Sequence, residues 1–404
     1  MIFTDFNLDP RLQRNVQAMG FEQPTPIQDA TIPAALTGQD ILGSAETGTG
    51  KTAAYLLPIL QRLLATSDRP RSPRVLILVP TRELALQVAD HAVQLGKGTP
   101  VRVAAIFGGV SLVNQEQALR RGVDIVIATP GRLLDHIERR NIAFTSLQVL
   151  VLDEADRMLD IGFLPDIRRV VRLLPRDRQT LLFSATLSPI LTLAAEVTRH
   201  AVRVEVEKTT APVAITQTFF PVPEHLKFQL LQQLLKDNQS QMESVLVFTR
   251  TKHRADRIVR DLQRAKISAA VIHGNRTQSQ RIAALEAFRR GHTRVLVATD
   301  IAARGIDVEG ISHVVNYDIP MVAEDYVHRI GRTGRAEAAG QAYTLVTPLD
   351  ESMVRRIESI LKQKIQRRKL EGIDYGKPAA VKPDADAIRR YVEANRRRQP
   401  VAAR

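Results

Sequence analysis

The segment from Val149 to Leu152 is apolar at every position and stops at two adjacent carboxylates, Asp153 and Glu154. A short unbroken run of branched apolar residues fits a strand buried on both faces, the pattern of a parallel sheet covered by helices. Comparable runs lie at Arg74–Val79, Val101–Phe107, Asp124–Ala128, Gln148–Leu152 and Gln179–Phe183, and again at Ser244–Phe248, Ser268–Ile272, Thr293–Ala298, Ser312–Asn316 and Gln341–Val346. Helical stretches separate them, so the fold class is α/β with right-handed crossovers and parallel sheets. A Pro-containing, Thr-rich passage at Lys208–Thr216 interrupts the rhythm. The sequence therefore predicts a domain over 1–208, a linker over 209–216 and a second domain over 217–359. Ligands of open α/β sheets bind at the carboxyl edge of the strands. The residues just after each apolar run are thus where the chemistry should lie.

Composition removes several function classes. The chain has no cysteine, which excludes disulfides and thiolate metal sites. No apolar run approaches the roughly 18 residues that span a bilayer, and the first ten residues carry acids and no apolar signal core, so no membrane partner and a cytoplasmic location are expected. The net charge is +14, and Ile360–Arg404 holds 13 Lys and Arg against 5 Asp and Glu. That segment reads as a flexible basic tail over 360–404 that attracts phosphate, or as a solvated end that aids solubility.

Ala45-Glu46-Thr47-Gly48-Thr49-Gly50-Lys51-Thr52 follows the apolar pair Ile41-Leu42. Two glycines let backbone N–H groups curl inward ahead of a helix, which makes a phosphate cradle. Lys51 supplies charge to the β and γ phosphates and Thr52 a hydroxyl to Mg²⁺. The generic pattern has Gly where this chain has Ala45. Asp153 then fits a partial ligand of Mg²⁺, in part through water, and Glu154 fits a base for the attacking water. Gln28 lies three residues after Thr25 and caps its own helix, reads an adenine edge, or does both. Polar groups also end other strands, at Thr81-Arg82, at Gly108-Gly109 and at Thr129-Pro130-Gly131-Arg132. These are ordinary helix starts or, taken together, a track for backbone phosphates. In His328-Arg329-Ile330-Gly331-Arg332-Thr333-Gly334-Arg335, Arg332 and Arg335 suit arginine fingers for a γ-phosphate, with Asp307 placed for a ribose hydroxyl.

Together these motifs, with Gly20–Gln28, Pro80–Leu84, Ser184–Thr186 and Ala298–Asp307, resemble a DEAD-box RNA helicase over residues 3–358, most like the bacterial RhlE group. The resemblance implies two tandem RecA-like domains that close on ATP, Mg²⁺ and RNA, and an RNA-dependent ATPase that separates short duplexes locally. It also implies roles for particular residues: Phe3 stacking on adenine beside Gln28, Ser184 and Thr186 coupling ATP to RNA, and His328 joining the catalytic group. Gln278, Arg281 and Thr299 are implied to join Thr81, Arg82, Gly108, Gly109 and Thr129–Arg132 at the RNA. Ribosome-assembly or RNA-decay proteins are candidate partners. An RNA clamp that uses ATP only to set residence time and a DNA-remodelling motor are the competing readings.

Overall fold

The computed structural model describes residues 2–45, 48–66, 70–206, 215–303, 310–334 and 340–378. In the first half lie strands β1 (Ile41–Ser44), β2 (Val75–Leu78), β3 (Val103–Ile106), β4 (Ile125–Ala128), β5 (Val149–Leu152), β6 (Gln179–Ser184) and β7 (Val202–Glu205). In the second half lie β8 (Thr216–Pro221), β9 (Val245–Phe248), β10 (Ala269–Ile272), β11 (Val295–Ala298), β12 (His313–Asn316), β13 (Gln341–Val346) and β14 (Gln366–Arg367). The first sheet runs β3-β4-β2-β5-β6-β1-β7 and the second β10-β11-β9-β12-β13-β8-β14, with every neighbouring pair parallel. Adding seven to each strand of the first order reproduces the second. The two halves are one topology used twice.

The apolar runs behave as two-faced strands. Val149 and Val151 enter one core, while Leu150 and Leu152 enter the core on the other face of the same sheet. Val245 and Val247 part from Leu246 and Phe248 in the same way. Because residues alternate between two cores, truncating any one of these leucines to alanine should cost about 2–5 kcal/mol.

The repeated topology corrects the expected boundaries. Thr216, assigned to the linker, is the first residue of β8. The expected tail from 360 begins too early, because β14 pairs with β8 as β7 pairs with β1. Ile365 and Ile373 are buried in the second half's cores, and Leu370 N–H donates to Tyr375 Oη at 2.8 Å. The second domain therefore continues to at least residue 378. The rest of the expected tail and linker residues 209–214 lie outside the described residues.

Candidate nucleotide site and domain cleft

The sheet order sorts the motifs before any side chain is considered. At the carboxyl edge of the first sheet, the segments after β3, β4 and β2 lie side by side, and those after β5, β6 and β1 come next. The first group carries Gly108-Gly109, Thr129–Arg132 and Thr81-Arg82. The second carries Asp153-Glu154, Ser184–Thr186 and the glycine loop.

Around the loop, Gly48 and Gly50 have φ of +88° and +91°, in the left-handed region that favours glycine. A Cβ on Gly50 would also collide with Gln28 Nε2. Gln28 Nε2 donates to Gly50 O at 3.1 Å, its Oε1 accepts from Thr25 N–H at 2.9 Å, and Thr25 Oγ1 donates to Thr49 O at 2.8 Å. Gln28 thus caps its helix and clamps the loop, leaving one amide N–H for a base. Lys51 opens the helix Lys51–Ala65, is buried, and donates from Nζ to Ala45 O at 2.8 Å across the loop.

Asp153 is buried behind the loop. Its Oδ2 accepts from Tyr55 Oη at 2.9 Å and its Oδ1 from the Glu154 N–H at 2.9 Å. Burial pushes its carboxyl up to about 6, with Glu154 adding to the rise and Lys51 opposing it. Burial and the same carboxylate hold the Tyr55 phenol far above its ordinary value. A buried carboxylate raised in this way, next to a second acid and a helix-start hydroxyl at Thr52, fits a divalent cation that gains its other ligands from phosphates and water. Among the described residues no group of three or more His, Cys, Asp or Glu side chains is placed to hold a metal ion. Glu154 sits at φ +52°, and its Oε2 accepts from Arg157 Nη1 at 2.9 Å.

Asp156 ties this strand end to the next. Its Oδ2 accepts from Ala185 N–H at 3.1 Å, Thr186 N–H at 3.2 Å and Thr186 Oγ1 at 3.3 Å, while Ser184 Oγ donates to Thr186 O at 2.7 Å. Ser184–Thr186 is thus tied to the first turn of the helix that follows the acidic pair.

The second half reaches the same place. Arg157 and Asp160 of the first half share a small cavity, about 20 Å³, with Phe248, Asp300, Asp325, His328, Arg329 and Arg332 of the second. Arg332 is buried there. His328 is held below its ordinary pKa, first by burial and then by Arg157, so it is neutral near pH 7. Arg329, at the same three-residue spacing, has a different task. It holds Asp300 through two contacts of 2.6 and 2.8 Å, donates to Asn316 Oδ1 at 3.1 Å and Asp318 O at 2.7 Å, and lies over the Phe248 ring.

Phe3, expected at the adenine, is packed among other rings. It is only 6% exposed, stacks on Phe21 at 6.2 Å between centroids, and meets Phe6 edge-on. Phe21 is the half-buried member of this stack. No periodicity marks Phe21. Its signal is its place next to Gly20, within the segment that also carries Gln28.

On the track side, Thr81 Oγ1 accepts from Leu84 N–H at 3.2 Å at the start of the helix Arg82–Leu95. The Arg82 guanidinium lies on Gly108-Gly109, where a Cβ on Gly109, at φ +81°, would collide with it. Arg132 donates to Val110 O at 3.2 Å and to Gln115 Oε1 at 3.3 Å, drawing the start of helix Pro130–Glu138 onto the same turn. Thr129 and Pro130 are buried, whereas Gly131 and Thr299 are half-buried.

Gln278 and Arg281, expected at RNA, are instead buried between the halves. Gln278 Nε2 donates to Glu83 Oε1 at 3.2 Å, and Arg281 Nη2 lies 2.9 Å from the same oxygen. Glu83 gave no sign of this in sequence, since its partners belong to the other half of the chain. Glu83→Ala strands Arg281 in a buried site, at a cost of about 3–5 kcal/mol to the closed arrangement. The expected result is a higher RNA concentration for half-maximal ATPase with unaltered nucleotide affinity in the absence of RNA. An unchanged RNA requirement would reduce the pair to packing. Glu46, Thr47, Asp307 and Arg335 lie outside the described residues.

Comparison with known proteins fits this geometry. A DEAD/DEAH box helicase family model matches residues 25–193, and a helicase conserved C-terminal domain matches residues 226–337. The chain is 42% identical over 397 residues to the DEAD-box ATP-dependent RNA helicase CshA of Bacillus licheniformis, covering 97% of this chain and 80% of that one. It is 44% identical over 367 residues to the ATP-dependent RNA helicase CshA of Listeria monocytogenes, covering 90% and 69%. Among solved structures, S. cerevisiae Dbp5 bound to RNA and ADP BeF3 superposes with a TM-score of 0.81 at 29% identity, covering 97% of this chain and 99% of that one. Mss116p bound to ssRNA and AMP-PNP gives a TM-score of 0.82 at 27% identity, with 98% and 85% covered. These curated relatives carry the name CshA, so the finer expectation of an RhlE-group chain finds no support in them. With both family models matched in order across its two sheets, the chain belongs to the DEAD-box helicases.

Proposed function

We propose that this ATP-dependent RNA helicase hydrolyses ATP only when RNA brings its two RecA-like domains together, and that this closure opens short duplexes locally. The observation that carries the reading is the meeting of Arg332 and His328 from the second domain with Arg157 and Asp160 from the first, beside Glu154. In this reading Lys51 and Thr52 hold the phosphates, Glu154 orients and deprotonates the attacking water, and Arg332 stabilises charge on the transferred phosphoryl group. Asp153 and Thr52 hold Mg²⁺, which when bound neutralises phosphate charge. Arg335 and Asp307 keep their proposed places at the γ-phosphate and the ribose. The base packs on Phe21, backed by Phe3, and meets the remaining N–H of Gln28. RNA phosphates run along Thr81-Arg82, Gly108-Gly109 and Thr129–Arg132, and pass to Thr299.

The competing reading is a clamp that binds RNA without separating strands. A strand-separation assay on RNA duplexes of increasing length, with ATP and Mg²⁺, decides between them. The proposal expects release of short duplexes and a steep fall with length. Tight ATP-dependent binding with no separation at any length would support the clamp. Within the family we propose a CshA-like grouping over an RhlE-like one, supported by the names of the curated relatives.

The basic tail can be tested separately. Residues 379–404 hold 7 Lys and Arg against 3 Asp and Glu. Truncation after Pro378 keeps the packed β14 segment and should weaken RNA binding, with a salt slope shallower by about 0.7 for each phosphate the tail had neutralised. An unchanged slope, read from binding at several salt concentrations, would give the tail a role other than RNA contact.

A further inference from the structure

At the amino-terminal ends of β1, β6 and β7, opposite the nucleotide edge, the first domain holds a cleft of about 350 Å³. Arg172, Arg176, Arg178 and Arg199 line it. The cleft also has two acids, and both are already engaged. Asp40 Oδ1 accepts from Thr180 N–H at 2.7 Å and its Oδ2 from Arg199 N–H at 2.6 Å. Glu196 is held by Arg168 through two contacts of 2.5 and 2.8 Å. Asp40 still acts on Arg178, and Arg172 on Glu196, but four arginines line the cleft against two acids, one of them already paired with Arg168. Arg178 is fixed by Nη1 donating to Pro175 O at 2.6 Å. Burial lowers its pKa, with Asp40 opposing the fall and Arg199 adding to it.

Converging like charges are costly unless an anion offsets them. The size falls in the range of small-ligand pockets, and guanidinium forks match phosphate oxygens two at a time. The glycine loop follows β1, and the segments after β2, β3 and β4 share that carboxyl edge of the sheet, so this cleft has no part in either.

We propose that this cleft is a second anion site, separate from the ATP site, that binds a small molecule carrying two or more adjacent phosphates. Such a ligand spans several guanidinium groups at once, whereas a single phosphate reaches only some of them. β1 leads from the cleft into the glycine loop and β6 into Ser184–Thr186, so the ligand would sit at the far end of the strands that carry the ATP motifs.

The test is calorimetric titration of the full chain with inorganic tripolyphosphate, in parallel with orthophosphate and single-stranded RNA. The glycine loop also takes polyphosphate, so three proteins are compared: the parent, Lys51→Ala, and the triple variant Arg172→Gln, Arg176→Gln, Arg199→Gln. Those three arginines are exposed, so the triple variant should fold as the parent does, which its melting curve checks. The proposal expects two tripolyphosphate sites in the parent and one in Lys51→Ala. In the triple variant the second site should be weaker by about tenfold or more, since several charge-assisted hydrogen bonds are removed. Orthophosphate should bind the second site more weakly than tripolyphosphate. A single site in the parent that Lys51→Ala abolishes would overturn the proposal. So would complete displacement of tripolyphosphate from Lys51→Ala by single-stranded RNA, which would give the arginines to RNA instead.

Discussion

Glu154→Gln is expected to bind ATP and RNA as the parent chain does and to turn over about 10²- to 10⁴-fold more slowly, the range of a missing general base. The replacement is nearly isosteric, and an amide oxygen still accepts from Arg157, whose Nη1 lies 2.9 Å from Glu154 Oε2. The left-handed backbone at Glu154, φ +52°, is one that a polar side chain tolerates with either group. What disappears is the ability to take a proton from water. Nucleotide binding read by a fluorescent analogue, set beside single-turnover hydrolysis on RNA, separates the two effects. Near-parent turnover would remove Glu154 from the mechanism and leave positioning by the loop and cleft to account for the rate.

Arg332→Gln should lower RNA-stimulated turnover by about 10³- to 10⁵-fold, the range found when a phosphoryl-transfer arginine is withdrawn. Nucleotide affinity without RNA should hardly change, because the loop, Lys51 and Asp153 all belong to the first domain. Arg329→Gln is the informative contrast. Arg329 binds Asp300, Asn316 and the backbone of Asp318 inside the second domain. Its loss should lower the melting temperature of that domain by more than Arg332→Gln does. If both variants lose stability alike, Arg332 is a structural residue and the finger must be sought elsewhere.

What Arg329 holds inside the second domain was not legible in the sequence, where it shares the spacing of Arg332 and Arg335. It depends on which strand ends stand next to the helix Ala323–Ile330, and only the sheet order supplies that. The same holds for Glu83: Arg281 reaches it across the two halves. By contrast, the strands with unbroken apolar runs were legible to within about two residues at either end, because a strand buried on both faces leaves no polar position to confuse the pattern. Four strands carried no such signal. β7 alternates Val202 and Val204 with Arg203 and Glu205, as suits a sheet edge. β8 ends in Pro221, and β14 is two residues long. β1 is short and contains Gly43, where a Cβ would lie 2.6 Å from the Phe183 ring. Close approach of the neighbouring strand demanded a residue that weakens the strand pattern. The packing of Phe3 between Phe6 and Phe21 was not legible either, since no periodicity ties the three rings together.

The central claim is that the ATPase site is complete only when RNA holds the two domains together. Steady-state ATPase of the full chain with Mg²⁺, measured without nucleic acid and with single-stranded RNA, duplex RNA or DNA of equal length, tests it most directly. The account predicts a low basal rate, strong stimulation by RNA and little by DNA. Equal rates in all four conditions would contradict it, because Arg332 would then meet the first domain without RNA. Equal stimulation by DNA and RNA would keep closure but reopen the DNA-motor reading.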